Sequence, residues 1–444
     1  EHFDNIKVPV LGVSGWNDCW PNTMIRLLEN INAPCQVVSG AWAHVYPNLG
    51  GPGPMIGFLQ LALEWWDHWL KGIDNEVMNK PAFIAFLQDS HSPDPNPSER
   101  PGRWVGETGS PTKNVLTKRL NMAPGALLET KCEDVGFVNI FSPLRIGLKT
   151  GEYMPISGPA ELPQDQSADD ALSVCFDYEQ LTEPLDLLGT TLLYLRASSD
   201  CSCGLIAARL CDVAPDGTST LISYGILNLK QRNGREALAE VTPGESMDMV
   251  IRLNDVGWSI KPQHKVRLAL SSQLWPMAWP LAERATIKLD IAHCYLDLPV
   301  RKANAEGEIK TPFGPPLAAD PPVHEIVLPP EASRQIHNDI EKGEIVFEVK
   351  VDGGKTKFEA TSLTYGSKNS QKYTIIEGDP LSACIEYQSS FSFLREDWDI
   401  KTQSKLVATC DASSFILKGH IAGFENDKQV FVRNWDVKIP RRVF

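Results

Sequence analysis

The sequence holds 444 residues, 42% apolar and 22% charged, with a formal net charge of −14. That length accommodates two or three domains, and the composition is ordinary for a globular protein. The negative balance excludes nucleic acid and anionic membrane as main partners, because both demand a basic face.

Val8–Val13 is a short apolar run of the kind that forms parallel strands buried on both faces. It breaks at Gly15-Trp16 and delivers Asp18. Pro21-Asn22-Thr23 then opens a helix, in which Met24, Leu27, Leu28 and Ile31 recur at i, i+3, i+4 and i+7. A second apolar run, 35–39, breaks at Gly40 and delivers His44. Strand, helix, strand at this spacing is a βαβ unit. A turn-rich loop, 47–54, leads into GFLQLALEWWDHWLKG (57–72). This stretch predicts a helix with Leu59, Leu63, Trp66 and Leu70 as its packing face and Gly72 as its C-terminal cap. Its three tryptophans read as core; the alternative is that Trp65 or Trp69 lines a pocket. Residues 81–87 add a strand, and the proline-rich 90–112 reads as a loop and domain boundary.

From 113 the pattern changes to short β-branched and aromatic runs between Gly, Pro and Asp turns. Strands at this spacing without helices predict an all-β sandwich or jelly roll over 113–300. Residues 301–335, rich in Pro, Ala and charge, read as a linker. A further β-rich unit is expected over 336–444.

The ten cysteines are scattered, with no C-x-x-C pair and no zinc-finger spacing. They read as small buried residues in a reducing, cytoplasmic compartment. No apolar run reaches the length of a membrane span. The first strand begins within a few residues of Glu1, so the start is expected to cut through a domain, with any targeting segment upstream.

Asp18 and His44 carry the chemistry. In an open α/β sheet, reactive side chains sit just beyond the carboxyl ends of parallel strands. Two adjacent strands would bring these two residues to one sheet edge, although 26 positions separate them in the chain. An Asp that orients a His is two thirds of a hydrolase triad. Taken singly, each has a structural alternative: Asp18 as an Asx turn or helix cap, His44 as a buried hydrogen-bonded histidine. The nucleophile should precede them. Ser14 is the one hydroxyl before Asp18, but it shares the Asp18 strand and has no G-x-S-x-G elbow, so it is not expected to serve. Glu64, Asp67 and His68 read as an ion-paired helix face. Asp165–Asp170 (DQSADD) lacks the Gly and distal Glu of a calcium loop and reads as structural. No metal ligand set and no cofactor fingerprint is found.

These residues resemble the CocE/NonD hydrolases, a family that includes cocaine esterase and is related to the X-Pro dipeptidyl-peptidases. The resemblance runs through VPVL (8–11), GWND (15–18), GAWAH (40–44) and WWDHWLKG (65–72). It continues through DQSADDALSVCFD (165–177), EPLDLLG (183–189), ARLCDVAPDGTS (208–219), GILNLKQR (225–232) and KPQHKVRLALSSQLWP (261–276). REDWDIKTQSK (395–405) and the IPRR ending (439–442) extend it more loosely. The family commonly reads Gly-Pro-Trp before this His; position 41 here is Ala. The resemblance implies that 1–112 is the C-terminal part of an α/β-hydrolase catalytic domain. It further implies that 113–300 is the galactose-binding-like jelly roll of the X-Pro dipeptidyl-peptidase C-terminal kind. Asp18 becomes the triad acid and His44 the general base. The nucleophilic serine, oxyanion-hole donors and cap belong to a portion this sequence does not contain. The expectation is a fragment of a serine esterase or dipeptidyl-peptidase, inactive alone, acting on a small ester or peptide without a cofactor.

Two rival readings belong to other classes. One is a non-catalytic jelly-roll protein that binds carbohydrate or peptide, with Trp258, Trp275 and Trp279 as a stacking platform. The other is an assembly subunit completed by a partner chain; a homo-oligomer is also an open arrangement.

Overall fold

The computed structural model describes residues 2–133, 135–303, 307–310 and 312–442. Among them the chain is mostly β, with three α-helices. No described helix is long and apolar enough to cross a membrane. Glu1 lies outside the described residues.

The opening apolar runs form a parallel ladder. Strand β1 (Val10–Gly15) pairs in parallel with β2 (Cys35–Gly40), Val10 opposite Cys35 and Gly15 opposite Gly40. Strand β2 pairs in parallel with β3 (Phe83–Asp89), which pairs antiparallel with β4 (Gly102–Glu107). Side chains alternate across this ladder. Val37, Phe83, Ala85 and Leu87 face one apolar cluster, whereas Val38, Ile84 and Phe86 face another. Burial on both faces is why these strands read as continuous apolar runs. Helix α1 (Asn22–Asn30) crosses over the first face, burying Ile25, with Met24 and Leu28 packed beside it.

Helix α2 (Phe58–Lys71) ends at Gly72, whose φ of 68° lets its N–H bond back to His68 O at 3.0 Å and Ile73 N–H to Asp67 O at 3.1 Å. The cap is where the sequence puts it, but the packing face is not. Leu61 and Trp65 are buried, while Leu59, Leu63, Trp66 and Leu70 are 49–74% exposed. The helix is apolar nearly all round, so its periodicity fits two faces. Leu61 is the residue that meets Trp42, Phe86 and Trp104 in the second cluster.

Two antiparallel ladders follow in the same compact unit. One sets the strand Leu192–Ser199 between Tyr295–Arg301 and Met247–Arg252, with Val115–Ala123 beyond. The other sets Leu205–Val213 between Ser219–Asn228 and Lys265–Ser271, with Val174–Asp177 beyond. Leu193, Leu195 and Ala197 from the first and Ile206, Ala208 and Leu210 from the second share one core. Leu192–Ser199 alternates buried and half-buried, as a strand with one covered face must. Leu205–Val213 is buried at every position.

The second compact unit comprises 142–148, 273–284 and 319–444. It is an eight-stranded antiparallel sheet running from His324–Leu328 to Lys428–Pro440. Within the stretch read as a linker, Glu308–Ile309, His324–Leu328 and the start of Glu331–Asp339 are strands. Trp275 packs with Leu144, Ile345, Ile375 and Ala383 in the small core of this unit, and Trp279 sits edge-on to Trp275 and Phe415. Trp258 and Trp275 are 3% and 1% exposed. They therefore form no stacking platform: both ring systems are spent on packing.

Candidate active site

The site is made where β1 and β2 end. Trp16 N–H bonds Gly40 O at 2.8 Å and Asn17 N–H bonds Trp42 O at 3.1 Å, so the two turns zip together beyond the ladder. Asn17 Nδ2 donates to Ala41 O at 2.8 Å. Gly15 permits this approach: a Cβ there would lie 1.8 Å from Trp42 O. Indole Trp16 Nε1 donates to Phe86 O at 2.7 Å and ties the first turn to β3.

The two turns bring Asp18 and His44 into contact. His44 Nδ1 lies 3.0 Å from Asp18 Oδ2. A carboxylate needs a donor, so Nδ1 carries the proton and Nε2 presents its lone pair outward. Asp18 is nearly enclosed, at 12% side-chain exposure, while His44 is 42% exposed. The other carboxylate oxygen, Oδ1, accepts Trp20 N–H at 3.1 Å. Asp18 thus closes its turn through one oxygen and meets His44 through the other. His44 is held through its own N–H to Pro155 O at 2.8 Å and by the edge of Trp20, 5.2 Å between ring centres.

The pair opens on a cavity of about 510 Å³, lined also by Leu11, Val13, Tyr46 and Trp66. It is Trp66, and neither Trp65 nor Trp69, that lines it. Ser14 also borders the cavity, but its Oγ is turned to Gly15 O at 3.5 Å. Among the described residues no serine hydroxyl is hydrogen-bonded to the His44 ring. Cys19 also stands here, and its place next to Asp18 is the only signal it gives in the sequence. Burial, and then Asp18 beside it, push the Cys19 thiol up to about 11. Cys19, Asp18 and His44 have potential ligand atoms all within 4.8 Å of one another.

The other acidic groups have structural duties. Glu64 pairs with Lys80, Asp67 with Lys71 at 2.6 Å, and His68 Nδ1 caps onto Ile73 O at 3.1 Å. Asp170 is buried between Arg209 at 2.9 Å and Arg267 at 3.3 Å. Asp165 Oδ1 accepts the N–H groups of Ser167 and Ser219, both at 3.0 Å. A second Asp–His pair, unforeseen from the sequence, joins Asp212 to His264 at 2.6 Å. There the other Asp212 oxygen accepts from Ser90 and from Trp258 Nε1, so the carboxylate braces strand ends.

Residues 75–308 match the model of the X-Pro dipeptidyl-peptidase C-terminal non-catalytic domain, a span that leaves Asp18 and His44 outside it. The chain is 22% identical over 297 residues to cocaine esterase from Rhodococcus sp. (strain MB1 Bresler), which covers 62% of this chain and 50% of the esterase. The chain therefore spans about half the length of the curated relative it matches. Among solved structures it is similar in fold to an aminopeptidase from the marine sediment archaeon Thaumarchaeota archaeon. That match has a TM-score of 0.55 at 17% identity, over 67% of this chain and 56% of that one. An alpha-amino acid ester hydrolase matches with a TM-score of 0.52 at 20% identity, over 66% and 56%.

Proposed function

From the premise that this chain belongs to the CocE/NonD-like, X-Pro dipeptidyl-peptidase-related hydrolases, we propose that it carries two thirds of a serine-hydrolase triad. Asp18 is the acid and His44 the general base. The nucleophilic serine comes from polypeptide outside these 444 residues. The observation that carries this reading is the 3.0 Å contact between His44 Nδ1 and Asp18 Oδ2 at the mouth of the cavity.

The path is acyl transfer to serine. His44 Nε2 takes the serine proton as the hydroxyl attacks the substrate carbonyl, then returns it to the leaving group. Water deacylates the enzyme by the same route. Asp18 fixes the tautomer and stabilises the imidazolium that forms. This path needs no cofactor. The substrate is a small ester or an X-Pro peptide.

Residues 1–112 are read as the C-terminal part of the α/β-hydrolase domain, 113–300 as a jelly roll that helps wall the pocket, and 336–444 as an extension. Two further features support a missing neighbour. Strand β1 has no partner on its second edge among the described residues. The apolar side of α2 lies bare next to the cavity. Without the serine, turnover falls by roughly 10⁶, so the isolated chain is expected to be inactive.

The test is fluorophosphonate labelling in the native source, read by mass on every polypeptide that contains this sequence or co-purifies with it. A labelled serine on one of them, with labelling lost in His44→Ala, supports the triad. Absence of any labelled species sinks it.

A further inference from the structure

We propose that Asp18, Cys19 and His44 bind a thiophilic divalent cation of the zinc class, and that occupancy switches the Asp18–His44 pair off. The switching half rests on the catalytic reading above; the binding half stands without it.

Three different donors converge here: a carboxylate oxygen, a thiol sulfur and an imidazole nitrogen, all within 4.8 Å. That mixed set suits zinc, which takes sulfur, nitrogen and oxygen tetrahedrally and often leaves a fourth position to water. Hard cations such as magnesium or calcium prefer oxygen alone. Ligand atoms around a tetrahedral zinc stand roughly 3–4 Å apart, given metal–ligand bonds of about 2.0–2.3 Å. The Asp18–His44 separation of 3.0 Å already falls near that range. Cys19 Sγ closes the set by turning about its side-chain torsion. An ion can arrive from solvent, because His44 is 42% exposed. The backbone is also set: Asp18 Oδ1 accepts Trp20 N–H at 3.1 Å and closes the turn that contains Cys19.

Ligation forms bonds from the metal to Sγ, Nδ1 and Oδ2. The Cys19 thiol gives its proton to solvent. The proton on His44 Nδ1 is replaced by one on Nε2 through solvent exchange, so the ring stays neutral. One proton is released per ion. Nε2 then carries a hydrogen where the general base needs a lone pair, and Asp18 no longer orients the ring. Metal binding and proton abstraction from serine therefore exclude each other.

The purified 444-residue chain is titrated with Co²⁺ and read by visible absorption, then displaced with Zn²⁺. Calorimetry in two buffers of different ionisation enthalpy counts protons. The expected result is one Co²⁺ per chain with tetrahedral and thiolate charge-transfer bands, displacement by one Zn²⁺, and release of about one proton. Cys19→Ser should abolish the charge-transfer band and weaken Zn²⁺ at least tenfold, and His44→Ala should weaken it similarly. Cys35→Ser should leave the band in place. Circular dichroism of each variant guards against misfolding, and Cys19→Ala provides a second replacement. A folded wild-type chain with no charge-transfer band overturns the site, as does a Zn²⁺ affinity unchanged in Cys19→Ser and His44→Ala, which would mark an adventitious ion only. In the hydrolytically competent protein, Zn²⁺ should inhibit and a chelator should restore activity. The ratio of zinc-free to zinc-bound rate should shrink at least tenfold in Cys19→Ser. Metal binding alongside hydrolysis indifferent to His44→Ala would sink the catalytic reading and leave the metal site standing. His44-dependent hydrolysis without the cobalt band would do the reverse.

Discussion

Trp16 Nε1 donates to Phe86 O across 2.7 Å and 70 positions of sequence. The bond anchors the turn that carries Asp18 to the third strand of the ladder, so this turn is tied to the sheet beneath it. Trp16→Phe keeps an aromatic side chain but loses the donor and part of the indole's packing. It should cost at least about 1–3 kcal/mol, the penalty for stranding a buried acceptor, with the lost packing added. Urea denaturation measures the loss, and a cost below about 0.5 kcal/mol would show that the anchor is idle.

His91 gives the acid limb of stability. Burial, and then Arg100 nearby, push it down to about 4 from the usual 6.5. Its ring lies 4.8 Å from the Trp258 ring, and its Nδ1 contacts Asp89 O at 2.8 Å. The folded state thus binds this proton less readily than the unfolded chain. The contribution is whole above pH 6.5 and is lost as pH falls through about 4. At about 1.4 kcal/mol per unit it amounts to at most roughly 3 kcal/mol. His91→Gln should shrink the difference in unfolding free energy between pH 7 and pH 4.5 by 1 kcal/mol or more, by the same arithmetic. An acid limb identical in both proteins would refute the assignment.

Asp170 and Arg209 are 4% and 0% exposed, 2.9 Å apart. Removing one partner strands the other charge away from water. Asp170→Ala should therefore cost about 3–5 kcal/mol. Thermal melting reads it; a near-neutral variant would mean that water or a neighbouring group takes over.

The two sides of α2 should answer differently to the same charge. Leu61→Glu places a carboxylate in the cluster with Trp42 and Phe86 and should unfold the first unit. Leu63→Glu, at a residue 57% exposed, should change stability by less than about 0.5 kcal/mol. Equal losses in the two variants would contradict the packing described.

The sequence made the strand–helix–strand order and the Asp18–His44 meeting legible because both depend on short-range rules: apolar runs, turn residues and the polarity of parallel strands. The β-rich character of the rest was legible for the same reason. The packing side of α2 was not. A helix apolar on several sides leaves the choice to tertiary partners, and here those partners are Trp42 and Trp104, distant in sequence. Trp258 and Trp275 left the choice between stacking platform and core packing open for the same reason, since an indole carries no mark in the sequence of whether it will be covered; both are core. Cys19 escaped notice because one thiol among ten has no periodicity to betray it; only the fold brings it to His44.

Asp18 uses both of its oxygens, one on Trp20 N–H and one on His44. That double employment leaves the position no conservative exchange. Glutamate carries the charge one methylene too far to close the same tight turn. Asparagine can close the turn but gives up the negative charge that faces the His44 ring. A lineage that drifted at this position would surrender the local chain path or the charge, and selection for either one protects both.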